Sequence, residues 1–193
     1  MRRLHTSVNS MNFSIQETDL SGLYRIIPRV FTDDRGFFME LYNSASLQLL
    51  GLDAVFLQDN LSHSSRNTLR GLHFQAPPFA QGKLVTVLQG EVLDVVVDVR
   101  KSSATYGKAA SFVLSEKNRE MLYIPPGFAH GFSVLSETCL FFYKCTQVYN
   151  KASEGGLRWN DPVLGIDWKV SDPILSDKDQ LLPLLSALDS PFD

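Results

Sequence analysis

Lys83-Leu84-Val85-Thr86-Val87-Leu88-Gln89-Gly90-Glu91-Val92-Leu93-Asp94-Val95-Val96-Val97-Asp98-Val99 is the stretch whose reading decides the fold. Two runs rich in β-branched and apolar residues flank Gln89-Gly90. The runs read as strands, Lys83–Gln89 and Glu91–Val99, and the dipeptide between them as a tight hairpin turn. Outward from this pair the same signature recurs at short spacing. Further strands are expected at Leu23–Arg29, Gly36–Tyr42, Asp53–Ser62, Thr68–Gln75, Gly107–Leu114, Glu120–Ile124, Gly131–Val134 and Thr138–Tyr149. Asp33-Asp34-Arg35-Gly36 and Pro125-Pro126-Gly127 read as turns. Helical signals are few. Asn43–Leu50 is one, with Asn43 or Ser44 as cap and Gly51 just past its end. Ser176 to about Leu188 is a second, interrupted by Pro183. Many short strands with scarce helices predict an all-β sandwich or barrel, for which a cupin-type jelly roll fits the strand count. The interior of such a barrel is a natural ligand site.

The 193 residues are 44% hydrophobic and 20% charged, proportions of a globular chain long enough to bury a core. The net charge of −3 lacks the basic excess of a protein that binds nucleic acid by neutralising phosphates. No apolar run approaches the roughly 18 residues needed to span a bilayer. The opening Met-Arg-Arg is followed by a run broken by His5, Ser7, Asn9, Ser10 and Asn12, which is not a secretory signal. Residues 1–11 are read as a flexible extension, and 12–193 as a single domain without repeats or linkers. Cys139 and Cys145 share one apolar stretch, too few for a disulfide framework and without zinc-like spacing. Buried reduced thiols and a cytoplasmic location are expected.

Several side chains stand out against this frame. In Leu69-Arg70-Gly71-Leu72-His73-Phe74-Gln75, strand alternation puts His73 and Gln75 on the face opposite Leu72 and Phe74. That face is solvent in an open sheet and the cavity in a polar-lined barrel. Strict alternation also separates Arg70 from His73, unless Gly71 marks a bulge that brings them together. Lys83 is either a solvated strand-edge charge or, in a cavity beside a histidine, a group that stabilises an enolate oxygen. Asp94 and Asp98 are either the solvent face of an amphipathic strand or partners of a buried histidine or arginine. His130 enters a strand after the Pro-Pro-Gly turn. Tyr143 and Tyr149 share parity, and a tyrosine hydroxyl in a dry pocket can donate a proton. Ser176 with Asp179 three residues on resembles a capping box. His63 reads as a solvated loop histidine. A metal centre of the cupin kind needs clustered histidines and a carboxylate. The position two after His73 is Gln75, and no glutamate follows closely, so no metal and no cofactor are expected.

Arg70-Gly71-Leu72-His73-Phe74-Gln75 resembles the dTDP-4-dehydrorhamnose 3,5-epimerase family. Other stretches match in order and spacing: Asp34-Arg35-Gly36-Phe37-Phe38, Gln58-Asp59-Asn60, Gln81-Gly82-Lys83-Leu84-Val85, Pro126-Gly127-Phe128-Ala129-His130-Gly131-Phe132, Tyr143-Lys144, and Trp159-Asn160-Asp161-Pro162 through Trp168 to Ser176. The likeness runs from about Met11 to about Leu188. It implies a metal-free, homodimeric jelly roll acting on a dTDP-4-keto-6-deoxy-hexose in dTDP-L-rhamnose synthesis. Carried over by motif, His73 is implied as the base, Tyr143 as the acid, Lys83 as the stabiliser of charge on O4, and Asp179 as the group that orients His73. Arg70, His130, Lys83, Gln58, Asn60, Glu154 and Lys178 match substrate-contact positions. Arg35 and Glu40 come from an N-terminal arm that would reach the partner subunit. One position departs from the family's usual pair of aromatic residues, which here is Val148-Tyr149. An epimerase of C3 only, or of another nucleotide-linked 4-keto sugar, is the alternative. A non-catalytic carbohydrate-binding cupin is a third reading, against which the full acid–base set speaks.

Overall fold

A computed structural model describes residues 12–193. The expected extension at 1–11, with His5, lies outside the described residues. Strands β1 (Phe13–Glu17), β2 (Tyr24–Pro28), β3 (Phe31–Asp33) and β4 (Gly36–Phe38) precede helix α1 (Ser44–Leu49). Next come β5 (Gln58–Ser65), β6 (Leu69–Gln75), β7 (Lys83–Gln89), β8 (Glu91–Asp98), β9 (Ala109–Ser115), β10 (Met121–Ile124), β11 (Phe128–Val134), β12 (Thr138–Cys145) and β13 (Glu154–Gly156), and then helix α2 (Asp177–Gln180). Two sheets carry the jelly roll, in the orders β1-β2-β10-β7-β12-β5 and β13-β6-β11-β8-β9. The hairpin β3-β4 stands apart from both.

The expected hairpin at Gln89-Gly90 is not formed. β7 pairs with β10 and β12 in the first sheet, whereas β8 pairs with β9 and β11 in the second. Gly90 is therefore a corner at which the chain passes between sheets. It has φ +84°, and a Cβ there would meet the Thr138 carbonyl oxygen at 2.2 Å. Only glycine fits, for want of space as much as for its backbone angle. Local turn chemistry cannot distinguish such a corner from a hairpin.

Three apolar clusters explain why the strands read as nearly continuous hydrophobic runs. Val85, Val87, Val92, Val96, Leu114, Phe132 and Phe141 fill the space between the sheets. Val95, Val97, Leu72 and Phe74 face outward from the second sheet but are covered by Leu157, Trp168 and Phe192 of the C-terminal segment. Leu84, Ile26 and Met121 face outward from the first sheet beneath Leu47 and Leu52. With both faces of β8 covered, Asp94 and Asp98 share the inward parity of Val92 and Val96, and both are fully buried. The solvent-face reading of these two aspartates fails for that reason, and the reading as buried partners holds.

Strand boundaries differ from expectation mainly at edges. The strand expected over Gly36–Tyr42 ends at Phe38, the one expected over Asp53–Ser62 lies at Gln58–Ser65, and β1, β3 and β13 were not expected. α1 forms with Asn43 as cap, its side chain accepting from the Ser46 N–H at 3.1 Å. The helix expected from Ser176 is cut to four residues, followed by a 3-10 turn at Leu185–Ala187.

Candidate active site

The second sheet is irregular where it matters. Between β6 and β11 the register shifts between His130, which pairs with His73, and Phe132, which pairs with Arg70. Gly71 sits in this bulge at φ +119°. A Cβ on it would lie 2.5 Å from the Gly131 Cα and 2.8 Å from the His130 carbonyl oxygen. The extra residue restores parity. Leu69 and Leu72 both join the outer apolar cluster, and Arg70 and His73 both line the cavity. The bulge left open by the sequence is therefore present.

The cavity holds about 700 Å³, within the usual range for a small-molecule site. β6 and β11 of the second sheet supply Arg70, His73 and His130; β7 and β12 of the first supply Lys83 and Tyr143. An adjoining recess of about 330 Å³ shares His73, Lys83 and Tyr143 and adds Gln58, Asn60 and Glu154. Lys178 lines the main cavity and pairs with Glu154 at 2.6 Å. The expected site residues thus converge, with two exceptions. Arg35, on the β3-β4 turn, is exposed and pairs with Asp33 at 2.5 Å. Glu40 accepts from the Asn12 and Asn43 side-chain amides at 3.0 and 3.2 Å. Neither lines either cavity of its own chain.

Two histidine–aspartate pairs flank the cavity. His73 Nε2 lies 2.6 Å from Asp179 Oδ1. Ser176 caps α2 by accepting from the Asp179 N–H at 3.2 Å, so the same residue serves the cap with its backbone and His73 with its carboxylate. Burial raises the Asp179 carboxyl, but the bond and charge of His73, with Ser176 and Gly71, outweigh it and hold the group below the ordinary carboxylate value. His130 Nε2 lies 2.8 Å from Asp94 Oδ2, and its ring stacks on Phe141. Burial lowers the His130 pKa against the opposing pull of Asp94, with Lys83 and His73 lowering it further.

The remaining groups are tuned by the same burial. Lys83 is lowered from the ordinary lysine value by desolvation, with Cys145 and Asp94 opposing. Tyr143 is raised, chiefly by desolvation and secondarily by Cys145, with Arg70 opposing, so its hydroxyl stays protonated as a donor. Arg70 Nε donates to Ser64 Oγ at 3.1 Å, which holds the guanidinium at the cavity wall. Sequence reasoning missed Ser62, Ser64 and Phe141 in the lining, and placed His63 in a loop although it stands on β5. Alternation along Gln58–Ser65 carried that signal in part, because Gln58, Asn60, Ser62 and Ser64 share one face. Among the described residues, no group of three or more His, Cys, Asp or Glu side chains gathers as a metal site would require.

Comparison with known proteins agrees with this geometry. The family model described as dTDP-4-dehydrorhamnose 3,5-epimerase matches residues 17–187. A curated dTDP-4-dehydrorhamnose 3,5-epimerase of Methanothermobacter thermautotrophicus is 50% identical over 171 residues, covering 87% of this chain and 92% of that one. The crystal structure of the corresponding epimerase from Elizabethkingia anophelis is 49% identical, with a TM-score of 0.86 over 91% of this chain and 97% of that one. An epimerase from Legionella pneumophila, solved in complex with dTDP-4-keto-L-rhamnose, is 44% identical with a TM-score of 0.87 over 92% of this chain and 95% of that one.

Proposed function

Given that the chain belongs to the dTDP-4-dehydrorhamnose 3,5-epimerase family, we propose how its own residues divide the reaction. The protein is an isomerase that inverts C3 and C5 of a dTDP-4-keto-6-deoxy-hexose in dTDP-L-rhamnose synthesis. The ketone at C4 acidifies the hydrogens on both neighbouring carbons. His73 takes one of these protons at its cavity-facing nitrogen, while Asp179 at 2.6 Å holds the ring and stabilises the imidazolium that forms. Negative charge moves onto O4, where Lys83 is the nearby donor and a buried setting strengthens its effect. Tyr143, reaching in from the opposite sheet, returns a proton to the other face of the carbon. The observation that carries this reading is the meeting of His73, with its carboxylate partner, and Tyr143 in one cavity from facing sheets.

Arg70 suits the pyrophosphate, because its fork bonds two oxygens at once. Gln58, Asn60, Glu154 and Lys178 border the adjoining recess and its rim, and we assign them to the rest of the dTDP-sugar. Arg35 and Glu40 belong to a face shared with a second copy, as a homodimer requires. The exposed Phe37 and Phe38 on the same hairpin support this assignment. The two thiols, free and buried, fit a reducing cytoplasm. Among the described residues no helix is long and apolar enough to cross a membrane.

The test is incubation with dTDP-4-keto-6-deoxy-glucose in D2O and mass spectrometry of the recovered sugar nucleotide. Two solvent deuterons, at C3 and C5, are expected. One deuteron at C3 alone would make the protein a mono-epimerase and direct attention to Val148. None, with the protein folded, would overturn the epimerase reading.

A further inference from the structure

Asp179 reaches His73 from a segment with little stiffness of its own. α2 is a single turn of four residues, and Leu181 behind it is 80% exposed. A helix this short does not hold its shape without tertiary support. Ahead of Asp179 the segment is tied to the second sheet by a bridge between Thr68 and Ile174. Behind Asp179 the ties come from residues that line neither cavity. Arg158 donates its backbone N–H to the Pro183 carbonyl at 2.8 Å and its Nε to the Leu182 carbonyl at 2.9 Å. The buried Asp161 carboxylate accepts from the Leu185 N–H at 2.6 Å and the Val163 N–H at 2.9 Å. Arg158 is itself placed by its neighbour. Leu157 exchanges both backbone bonds with Leu72, the residue before His73. A closed ring of bonds thus runs from β6 through Leu157, Arg158 and the 178–185 segment to Asp179, and returns to β6 at His73.

We propose that Arg158 and Asp161 are positioning residues for the His73–Asp179 pair. They fix the far side of the segment so that the Asp179 carboxylate stays aimed at His73. This rests on reading His73 as the base. Misplacing a reacting group by about 1 Å costs on the order of a hundredfold in rate. Loosening one of several ties is expected to cost about tenfold by the same measure.

The experiment compares Arg158→Ala, Arg158→Lys and Asp161→Asn with the unaltered protein, and includes His73→Asn as control. Turnover, KM for the sugar nucleotide, affinity for dTDP and thermal midpoint are measured for each. The expected result is a roughly tenfold fall in kcat for Arg158→Ala and Asp161→Asn, with KM and dTDP affinity within about threefold. Arg158→Lys recovers most of the loss, because its ammonium can still donate to the Leu182 carbonyl. Unchanged kcat in Arg158→Ala and Asp161→Asn overturns the proposal. So does a fall in kcat that tracks loss of dTDP affinity and of thermal midpoint, the pattern of a purely structural role. If Arg158→Ala does not fold, the isosteric Asp161→Asn and the lysine variant carry the same comparison. Retained turnover in His73→Asn would overturn the base assignment instead, independently of the positioning residues.

Discussion

Tyr143 and His73 are chemically ordinary side chains made useful by where they stand. His73 has a buried carboxylate at 2.6 Å, which in the proposed reaction stabilises the imidazolium left by a proton taken from carbon. Tyr143 is pushed up by burial and therefore keeps its proton, as the acid proposed for it must. The two roles are separable. Tyr143→Phe removes the acid and leaves the base, so solvent deuterium should still enter substrate recovered without inversion. Net inversion should fall by about a hundredfold, within the span of a general-acid contribution. Loss of deuterium entry and inversion in equal measure would assign both steps to one residue. His73 was visible in the sequence through its motif, whereas Asp179 read locally as a capping residue, which it also is, and was set beside His73 only by the family resemblance. That Asp94 pairs with His130 was left open, because a strand sequence does not say whether its second face is wet.

At the scale of elements, the decisive feature is the bulge at Gly71. Without it, Arg70 and His73 would project to opposite sides of β6, and the groups proposed to bind phosphate and to abstract the proton would be separated by the sheet. The bulge needs a residue with no Cβ, because Gly131 approaches to within 2.5 Å of where that atom would be. Gly71→Ala also forces a side chain onto a φ of +119°. A loss of stability of about 3 kcal/mol or more is expected, combining backbone strain with the clash. Activity should be lost even where the protein folds. Urea unfolding with a parallel turnover assay checks this, and full activity with unaltered stability would show that the bulge is dispensable. The glycine was legible as a possible bulge. The partner it makes room for, 60 residues away in sequence, was not.

For the whole molecule, two consequences concern what holds it together. Asp98 is fully buried at the end of β8. It accepts from Arg100, Ser103 and Thr105, with Arg100 Nη2 at 2.7 Å and both hydroxyls at 2.6 Å. Burial raises its carboxyl, but these bonds together bring it down to about 2. A depressed carboxyl stabilises the fold above its unfolded value, and that contribution disappears as pH falls from the ordinary 3.8 to about 2. Asp98→Asn should therefore cost about 3 kcal/mol near neutral pH, the lower end for breaking a buried pair. The gap from the unaltered protein should close over that acid window. An equal gap at pH 2 and pH 7, read from urea unfolding, would contradict it. The second consequence is assembly. Phe37 and Phe38 are 56% and 65% exposed, on the hairpin that carries Arg35. Light scattering should give twice the 21.6 kDa chain mass, and Phe37→Asp with Phe38→Asp should halve it and lower turnover. A monomer with full turnover would remove Arg35 and Glu40 from the site.

The sequence by itself determined the all-β class and most strand cores, and its resemblance to a known family grouped His73, Lys83, His130, Tyr143 and Asp179 as expected site residues. The class and the strand cores rest on residue types and short-range periodicity, which are properties of a few adjacent positions. Only the tertiary structure decided that Gly90 turns a corner and closes no hairpin, and that β8 is buried on both faces. The same holds for the bulge at Gly71, which turns Arg70 to the side of His73, and for Arg35 and Glu40, which stand outside their own cavity. Each depends on which distant segment lies against a given face, and alternation along a strand carries no record of its neighbours.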